Sequence, residues 1–300
     1  MASRKVVVVF GATGKQGGSV ARALVKDGHF KVRAVTRHVD SDKAKELKKE
    51  GCDVVEANLD DKASVVEAMR GAYGVFLVTN YWEDMDEERE FTEGKDAVDA
   101  AKECGVQHLV YSGLENVKES CGYSVACFDG KGRVEEYLRS CGLQYTIVRL
   151  SFYMEDLLTM FPPKRQEDGS YHLEIPMEGH PLHVVSVAEI GPMIVCIFED
   201  PREYTGRTLG LSSEHLTLDE MAREMTECLG VKVKDHKITL AAFCELKFPG
   251  VVVFCTMFKF FQSDEFKRDI ELSRKLNPEL SPFREWLARN KEALLAIMNK

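Results

Sequence analysis

Short apolar runs alternate with amphipathic stretches through the first half of the chain. Helical periodicity covers residues 15–27, 42–50, 62–70, 87–104 and 129–141, and a glycine follows each stretch, where a left-handed residue commonly ends a helix. Between these stretches lie six predicted strands, which are Lys5–Phe10, Lys31–Thr36, Asp53–Ala57, Gly74–Thr79, His108–Ser112 and Tyr145–Leu150. Strands that alternate with helices predict an α/β fold with a doubly wound parallel sheet and right-handed crossovers.

The pattern changes after residue 150. Short strands are predicted at Ser170–Ile175, Leu182–Val185, Thr208–Leu211 and Lys232–His236, and helices at 187–199, 218–228, 240–247, 251–261 and after Ser281-Pro282. Thr217 and Glu220 have the spacing of a capping box. We expect two domains: residues 1–150 form the doubly wound domain, and residues 151–300 form a smaller α+β domain that packs against it and completes a cleft.

Composition narrows the class of protein. The 300 residues carry 40 Lys+Arg against 49 Asp+Glu, a net charge of −9, which argues against direct nucleic-acid binding. A hydrophobic content of 44% excludes a disordered or collagen-like chain. No apolar run approaches the roughly 18 residues of a membrane span. The nine cysteines include no C-x-x-C pair, so we expect a reduced cytoplasmic setting, no metal site and no membrane contact.

A glycine-rich loop follows the first strand directly. Gly11, Gly14 and Gly17 stand in the order Gly-x-x-Gly-x-x-Gly, and the first helix begins within the loop. Gly11 permits a tight turn, Gly14 lets a phosphate approach the backbone, and Gly17 lets the helix pack against the strand. The helix N-terminus adds partial positive charge. This strand–loop–helix context predicts a site for the diphosphate of a dinucleotide.

The end of the second strand indicates which dinucleotide is bound. An acidic residue about 20 positions after the glycines would favour NAD. Here Arg37 stands 20 residues after Gly17, and a guanidinium can hold a 2′-phosphate through two hydrogen bonds. The sequence therefore predicts NADP(H), although the segment His38–Asp42 that follows Arg37 is acidic.

Three further motifs identify a family. The chain resembles the NmrA-like family of atypical short-chain dehydrogenase/reductases at Thr79–Trp82, Tyr111–Asn116 and Phe128–Gly132. The resemblance implies an NADP-binding Rossmann fold in a regulatory redox sensor that acts through protein contacts, as a homodimer, in the cytoplasm and also the nucleus. It also implies cofactor contacts from Gly11, Ala12, Thr13, Gly14, Lys15, Gln16, Gly17, Arg37, Asn58, Leu59, Thr79, Asn80, Tyr81, Lys131, Tyr153, Met154, Glu155 and Asp156.

Catalysis is the open alternative. Ordinary short-chain reductases use a tyrosine four residues before a lysine as the proton donor, and here Cys127 stands four residues before Lys131. A thiol is a weak donor, so no residue is predicted to be catalytic with certainty, and Lys131 is expected to bind ribose. Ser112, Tyr111 or Tyr123 could compensate. Alternatively, Lys131 could serve an NADPH-dependent reductase of quinones or enones that works without the tyrosine.

Overall fold

Two separate stretches of the chain build the first of two structural units. In the computed structural model, which describes residues 4–299, this unit contains the chain up to Arg149 together with Ala188–Leu209. The second unit contains Leu150–Val187 and the chain from Gly210 onward. A segment that lies well beyond residue 150 therefore belongs with the doubly wound sheet rather than with the C-terminal part.

The strands are numbered along the chain. They are β1 (Lys5–Val9), β2 (Phe30–Thr36), β3 (Asp53–Glu56), β4 (Gly74–Leu77), β5 (His108–Gly113), β6 (Tyr145–Arg149), β7 (Phe152–Tyr153), β8 (Lys164–Arg165), β9 (Tyr171–Leu173), β10 (Leu182–Val185), β11 (Thr208–Gly210), β12 (Glu214–Leu216) and β13 (Val233–Asp235). The six strands predicted in the first half are all present, with ends that differ by one or two residues.

The helices are numbered in the same way. They are α1 (Lys15–Asp27), α2 (Asp42–Lys49), α3 (Lys62–Met69), α4 (Glu87–Glu103), α5 (Val117–Cys121), α6 (Ala126–Ser140), α7 (Ile190–Glu199), α8 (Pro201–Tyr204), α9 (Leu218–Leu229), α10 (Leu240–Cys244), α11 (Val251–Phe261), α12 (Ile270–Leu276) and α13 (Phe283–Met298). Short 3₁₀ helices cover Tyr81–Glu83, Met154–Leu158 and Val187–Glu189.

The first unit is built on a seven-stranded sheet. Its strand order is β11-β6-β5-β4-β1-β2-β3, and β1 to β6 pair in parallel. Helices α1 and α7 pack together, whereas α4 packs with α3 and α6. Alternate residues of a strand face opposite sides of the sheet. Val8 of β1 faces the side that α3, α4 and α6 cover, and it packs in the core there. The predicted doubly wound α/β fold is confirmed.

The contact between α1 and α7 depends on a residue without a side chain. A β-carbon at Gly191 would lie 2.3 Å from the Ser19 carbonyl oxygen. Ser19 Oγ also donates to the Ala188 carbonyl and accepts from the Gly191 amide, at 2.7 and 3.0 Å. At the far ends of the helices, His29 Nδ1 lies 2.9 Å from Glu199 Oε1. These contacts attach the returning segment to the first unit.

The order in which strands are added to the sheet reverses between β1 and β4. Strands β2 and β3 extend on one side of β1, and β4, β5 and β6 on the other. Open α/β sheets bind ligands outside the carboxyl ends of their strands at such a point. The loops after these two strands adjoin here, because the Phe10 amide donates to the Phe76 carbonyl at 2.9 Å. The topology thus places the glycine loop where a ligand is expected.

The second unit contains two small sheets, β12-β10-β7 and β13-β9-β8. Its interior is aromatic: Phe254, Phe258, Phe260 and Phe261 of α11 are all buried. A disulfide joins Cys244 of α10 to Cys255 of α11. The sequence analysis did not predict this pair, because an 11-residue spacing carries no local signature of a disulfide. Within the described residues, no helix is long and apolar enough to cross a membrane.

Candidate functional site

The three glycine positions of the loop after β1 have little or no room for a side chain. A β-carbon at Gly17 would lie 2.3 Å from the Gly11 carbonyl oxygen and 2.6 Å from that of Phe10. A β-carbon at Gly14 would lie 3.1 Å from the same Gly11 oxygen, and Gly11 has a left-handed φ of +63°. The tight turn and the close helix–strand contact predicted for these glycines are therefore present, although ligand binding itself remains a prediction.

Helix α1 begins in a way that suits an external anion. Helices α2, α3 and α4 are capped by the side chains of Ser41, Asp61 and Asp86. By contrast, Gly14 is the N-cap of α1, and within the described chain no side-chain hydrogen bond caps this helix. The first amides of a helix have no partners within it, and the helix dipole favours negative charge there. The glycine loop thus fits a diphosphate, which Gly11 to Gly17 would hold.

A small cavity adjoins the loop on the side of α2. Its volume is about 220 Å³, and it is lined by Ala12, Thr13, Gly14, Lys15, Arg22, Lys43, Glu46 and Leu47. The Thr13 hydroxyl lies 3.4 Å from the Thr36 hydroxyl at the end of β2, so the cavity and the end of β2 are neighbours. Three cationic side chains border the cavity, and Lys43 replaces some of the positive charge that the His38–Asp42 segment lacks.

Arg37 lies immediately after β2 and is paired with a carboxylate. It donates a hydrogen bond to Glu83 Oε1, and both side chains are partly exposed. Hydrogen bonding to Arg37 lowers the pKa of Glu83, so this carboxylate is charged at neutral pH. Glu83 is the first carboxylate of an acidic stretch that ends at Glu90, and nothing in the sequence of that stretch indicates a contact with the end of β2.

The loop after β3 carries the next two predicted residues. The backbone amide of Asn58 donates to Ser64 Oγ at 3.1 Å, and its side-chain Nδ2 donates to Asp60 Oδ2 at 3.3 Å. Leu59 packs half-buried against the core. These contacts hold the loop in a defined shape at the carboxyl end of β3.

A buried polar network lies after β4. The Lys131 ammonium donates to the Thr79 carbonyl and hydroxyl oxygens, both at 3.0 Å, and forms an ion pair with Glu90. Thr79 Oγ1 in turn donates to Glu90 Oε1 at 2.8 Å. The three hydrogens of the ammonium thus have three acceptors. Lys131 can donate to a ribose hydroxyl only if it gives up one of these bonds.

Tyr111 and Cys127 border this network without offering an available proton. The Tyr111 hydroxyl lies 3.3 Å from Thr79 Oγ1, and burial raises its pKa well above the usual value. Burial also raises the pKa of the Cys127 thiol strongly. Tyr111, Ser112 and Cys127 are all buried, and Tyr123 is half-buried with a raised pKa. Cys127 stands four residues before Lys131, where ordinary short-chain reductases have a tyrosine, and burial keeps its thiol protonated.

The motif Phe128–Gly132 explains how Lys131 is positioned. The Asp129 carboxylate accepts from the Val117, Lys118 and Val125 amides and from Ser124 Oγ, at 2.7 to 3.1 Å. A β-carbon at Gly132 would lie 2.4 Å from the Asn116 amide nitrogen. The motif thus joins α6 closely to the 116–125 segment, and this attachment holds Lys131 beneath Thr79.

Glu90 is a functional candidate that the sequence analysis missed. It is 2% exposed, and within residues 4–299 its Oε2 atom meets no hydrogen-bond partner. A buried carboxylate with one oxygen unpaired is costly, and its pairing with Lys131 compensates for part of this cost. Six carboxylates stand close together between residues 83 and 90, so nothing distinguished Glu90 except its helical spacing.

The remaining predicted residues lie in two places. Asn80 is exposed and precedes the 3₁₀ helix, whereas Tyr81 is buried with its ring edge-on to Trp82 at 5.4 Å. Tyr153 to Asp156 belong to the second unit, where Glu155 accepts from Ser186 Oγ and the Val187 amide. The role of these four residues remains a prediction from the family resemblance.

Comparison with known proteins agrees with this architecture. The chain is 30% identical to the NmrA-like family domain-containing oxidoreductase malD of Malbranchea aurantiaca, over 97% of this chain and 98% of the relative. The structure of NmrA, a negative transcriptional regulator, in complex with NADP has a TM-score of 0.80 at 22% identity, covering 97% of this chain and 98% of that one. The same regulator has been solved with NAD, at a TM-score of 0.81 and the same identity and coverage.

A reductase shares the same fold. The NADPH-dependent quinone oxidoreductase QOR2 of Escherichia coli, complexed with NADPH, has a TM-score of 0.79 at 20% identity, over 95% of this chain and 99% of that one. The fold therefore accommodates both a regulator and an enzyme. The model of the NmrA-like family matches residues 3–287, and the chain belongs to the NmrA-like family.

Proposed function

We propose that this chain binds NADP(H) and acts as a redox sensor, with its output through protein contacts rather than through turnover of a metabolite. Within the family, we infer that its motifs are most similar to those of the vertebrate protein called HSCARG, and the sensor role is what this resemblance implies. The observation that supports a non-catalytic role is the engagement of Lys131: its three donors are used by Thr79 and Glu90, and a buried thiol replaces the expected phenol.

The cofactor would be held mainly by the first unit. The amides of Gly11 to Gly17 would bind the diphosphate, Arg37 the 2′-phosphate, and Asn58 and Leu59 would lie beside the adenine. Thr79, Asn80, Tyr81 and Lys131 would contact the nicotinamide half. The cofactor would act as a signal because its oxidised and reduced nicotinamide rings differ, and the protein would respond to that difference.

Binding is tested by calorimetric titration of the four nicotinamide dinucleotides. Arg37→Glu should weaken NADPH on the order of 10- to 100-fold and leave NADH nearly unchanged, because only NADPH carries the 2′-phosphate. Arg70→Glu is the matched control, since Arg70 pairs with Glu67 on the exposed end of α3. Equal losses for both cofactors would show that Arg37 does not read the phosphate.

Sensing requires that the cofactor prefer one state of the protein, since equal affinity for two states shifts nothing. We expect NADPH to slow hydrogen exchange in the loops after β1 and β4 and to change the oligomer distribution, including the homodimer, measured by light scattering. Indistinguishable exchange and scattering with and without NADPH would reject the sensor while leaving the binding proposal intact.

A reductase of quinones or enones is the second candidate, favoured by the relative malD, which is named an oxidoreductase. In that case NADPH oxidation with a substrate panel would exceed background. It would be lost in Lys131→Ala, in which the only ammonium bonded to Thr79 and Glu90 within the described residues is removed. Turnover that behaves in this way would replace the sensor proposal.

The cytoplasmic and nuclear locations belong to the sensor proposal and are checked by microscopy of the tagged chain.

A further inference from the structure

The Arg37 guanidinium, which would bind the 2′-phosphate, is already paired with a carboxylate of the protein. Arg37 is paired with Glu83, and their side chains are 48% and 38% exposed. Both groups can therefore be reached by a ligand. A carboxylate and a phosphate use the same donors of a guanidinium, each in a two-pronged geometry. Glu83 and a 2′-phosphate thus compete for one cation.

The surroundings of Arg37 increase the effect of this competition. Glu93 and Asp60 also act on Arg37 electrostatically, although both bond to Arg89, at 3.0 and 2.5 Å. Arg89 pairs with Asp84 as well, at 2.6 Å. Four carboxylates therefore surround two guanidinium groups. Burial raises the pKa of Glu93 to about 7, so this group is only partly charged at neutral pH. The pKa values of Glu83 and Asp60 are lowered, so a dianion that approaches Arg37 meets both of these charges. Moving Glu83 away removes the charge that is paired with Arg37 itself.

We propose that Glu83 occupies Arg37 in the cofactor-free protein and thereby sets how strongly the chain prefers NADP(H) over NAD(H). This inference rests on the proposed function, because it assumes that a dinucleotide binds at the glycine loop. NADP(H) must displace Glu83 from Arg37. NAD(H) has no 2′-phosphate and leaves the ion pair in place. Glu83 is therefore a specificity-determining residue that lowers the preference which Arg37 alone would give.

The same exchange reaches a surface segment of the first unit. Glu83 ends the 3₁₀ helix Tyr81–Glu83, beside Trp82, whose side chain is 41% exposed. Two ion pairs tie this segment to the rest of the unit: Glu83 to Arg37, and Asp84 to Arg89. When a phosphate takes Arg37, the first tie is released. The environment of Trp82 then depends on whether the bound nucleotide carries a 2′-phosphate.

The test removes the competing charge and keeps the shape of the side chain. Glu83→Gln should tighten NADPH binding about three- to tenfold, because NADPH no longer has to break an exposed ion pair and one repulsive charge is removed. NADH affinity should change less than about twofold, and the NADPH gain should shrink at high salt. Glu67→Gln is the matched control, since it breaks the exposed pair with Arg70 and changes the net charge equally.

A second readout uses adenosine 2′,5′-bisphosphate and AMP, which lack the nicotinamide that would quench tryptophan. The chain has two tryptophans, and Trp286 is 2% exposed, so acrylamide quenching reports mainly on Trp82. We expect the bisphosphate, but not AMP, to change this quenching. In Glu83→Gln the bisphosphate should add little further change, and in Arg37→Gln it should have no effect.

The outcomes separate the two proposals. If the unmodified chain binds none of the four dinucleotides, the proposed function fails, and the inference fails with it. If the chain binds NADPH through Arg37 but Glu83→Gln leaves the ratio of NADPH to NADH affinity unchanged, only the role of Glu83 is overturned. Glu83→Ala, which also removes the carboxylate, must give the same answer as Glu83→Gln.

Discussion

At the scale of single residues, the site depends on glycines that lack a β-carbon and on a lysine whose ammonium hydrogens are all engaged in hydrogen bonds. Gly17 has no β-carbon, and this lets α1 approach within contact of the Gly11 carbonyl. Lys131 carries three donors, all of them engaged. The glycines were predictable, because the required space follows from the motif. The engagement of Lys131 was not, because Glu90 is 41 residues away in sequence.

Gly17→Ala should destabilise the protein by about 2–4 kcal/mol and abolish NADPH binding, since the new β-carbon meets two backbone oxygens that cannot move aside. Thermal unfolding and calorimetric titration measure both effects. Gly18→Ala is the control, because its β-carbon would lie 3.2 Å from its nearest neighbours and alanine favours a helix. A Gly17→Ala protein as stable as Gly18→Ala would contradict the close contact.

His108 predicts how stability depends on pH. Thr146 Oγ1 donates to the Tyr204 carbonyl, so it accepts a hydrogen bond from His108 Nε2 at 2.8 Å. Burial lowers the pKa of His108 from 6.5 to about 4. Between these values the unfolded chain binds more protons, so stability falls as the pH is lowered from 6.5 to 4, by at most about 3 kcal/mol from this group.

Denaturant unfolding at several pH values measures this dependence. His108→Gln lacks the titrating group, so its stability should fall less steeply over the same interval. His29 provides the comparison: it is exposed, and bonding to Asp27 raises its pKa instead, so His29→Gln should not flatten the profile in this way. Equal slopes for the unmodified protein and His108→Gln would rule out His108 as the origin.

At the scale of elements, α6 shows how a cap can come from inside a helix. The sequence predicted a start at residue 129, but α6 begins at Ala126. The reason is that the Asp129 carboxylate, one turn into the helix, accepts from the Val125 amide at 2.8 Å. Periodicity locates the apolar face of a helix but not a cap of this kind. Helices α1 to α4, which end in ordinary ways, were predicted to within one residue.

Asp129→Ala should loosen the 116–125 segment, because four donors lose their acceptor at once. We expect a loss of about 2–4 kcal/mol and faster amide exchange at Val117, Lys118 and Val125. Ser124→Ala removes only one of the four bonds and should leave exchange at Val117 and Lys118 unchanged. Slow exchange at these two amides in Asp129→Ala would show that other contacts hold the segment.

At the scale of the whole molecule, the order of elements was predictable, but their grouping into units was not. Helical and strand periods report that a face is buried, yet they do not report what covers it. Segment 188–209 was predicted as a helix and a strand of the C-terminal part. In the structure its strand β11 extends the sheet beside β6. The Cys244–Cys255 disulfide was missed for the same reason, since neither partner marks the other.

A fragment of residues 1–149 should therefore fail to fold. It lacks α7, whose Phe198 ring lies 6.1 Å from that of Phe30 and 5.5 Å from that of His108, and it leaves the edge of β6 uncovered. Circular dichroism and proton NMR should show lost cooperativity and poor dispersion, whereas the full chain unfolds in a cooperative transition. A fragment that unfolds cooperatively at the temperature of the full chain would contradict this expectation.

The first unit is built from two separate stretches of the chain, and this affects how it folds during synthesis. A ribosome extends the chain from its N-terminus, at about 5–20 residues per second. After Arg149 has been added to the chain, the roughly 60 residues to Leu209 must still be made before this unit has all its parts. For about 3 to 12 seconds, the nascent sheet therefore lacks α7 and the edge strand β11. Chaperones that shelter apolar surface during translation have their widest opportunity in that interval.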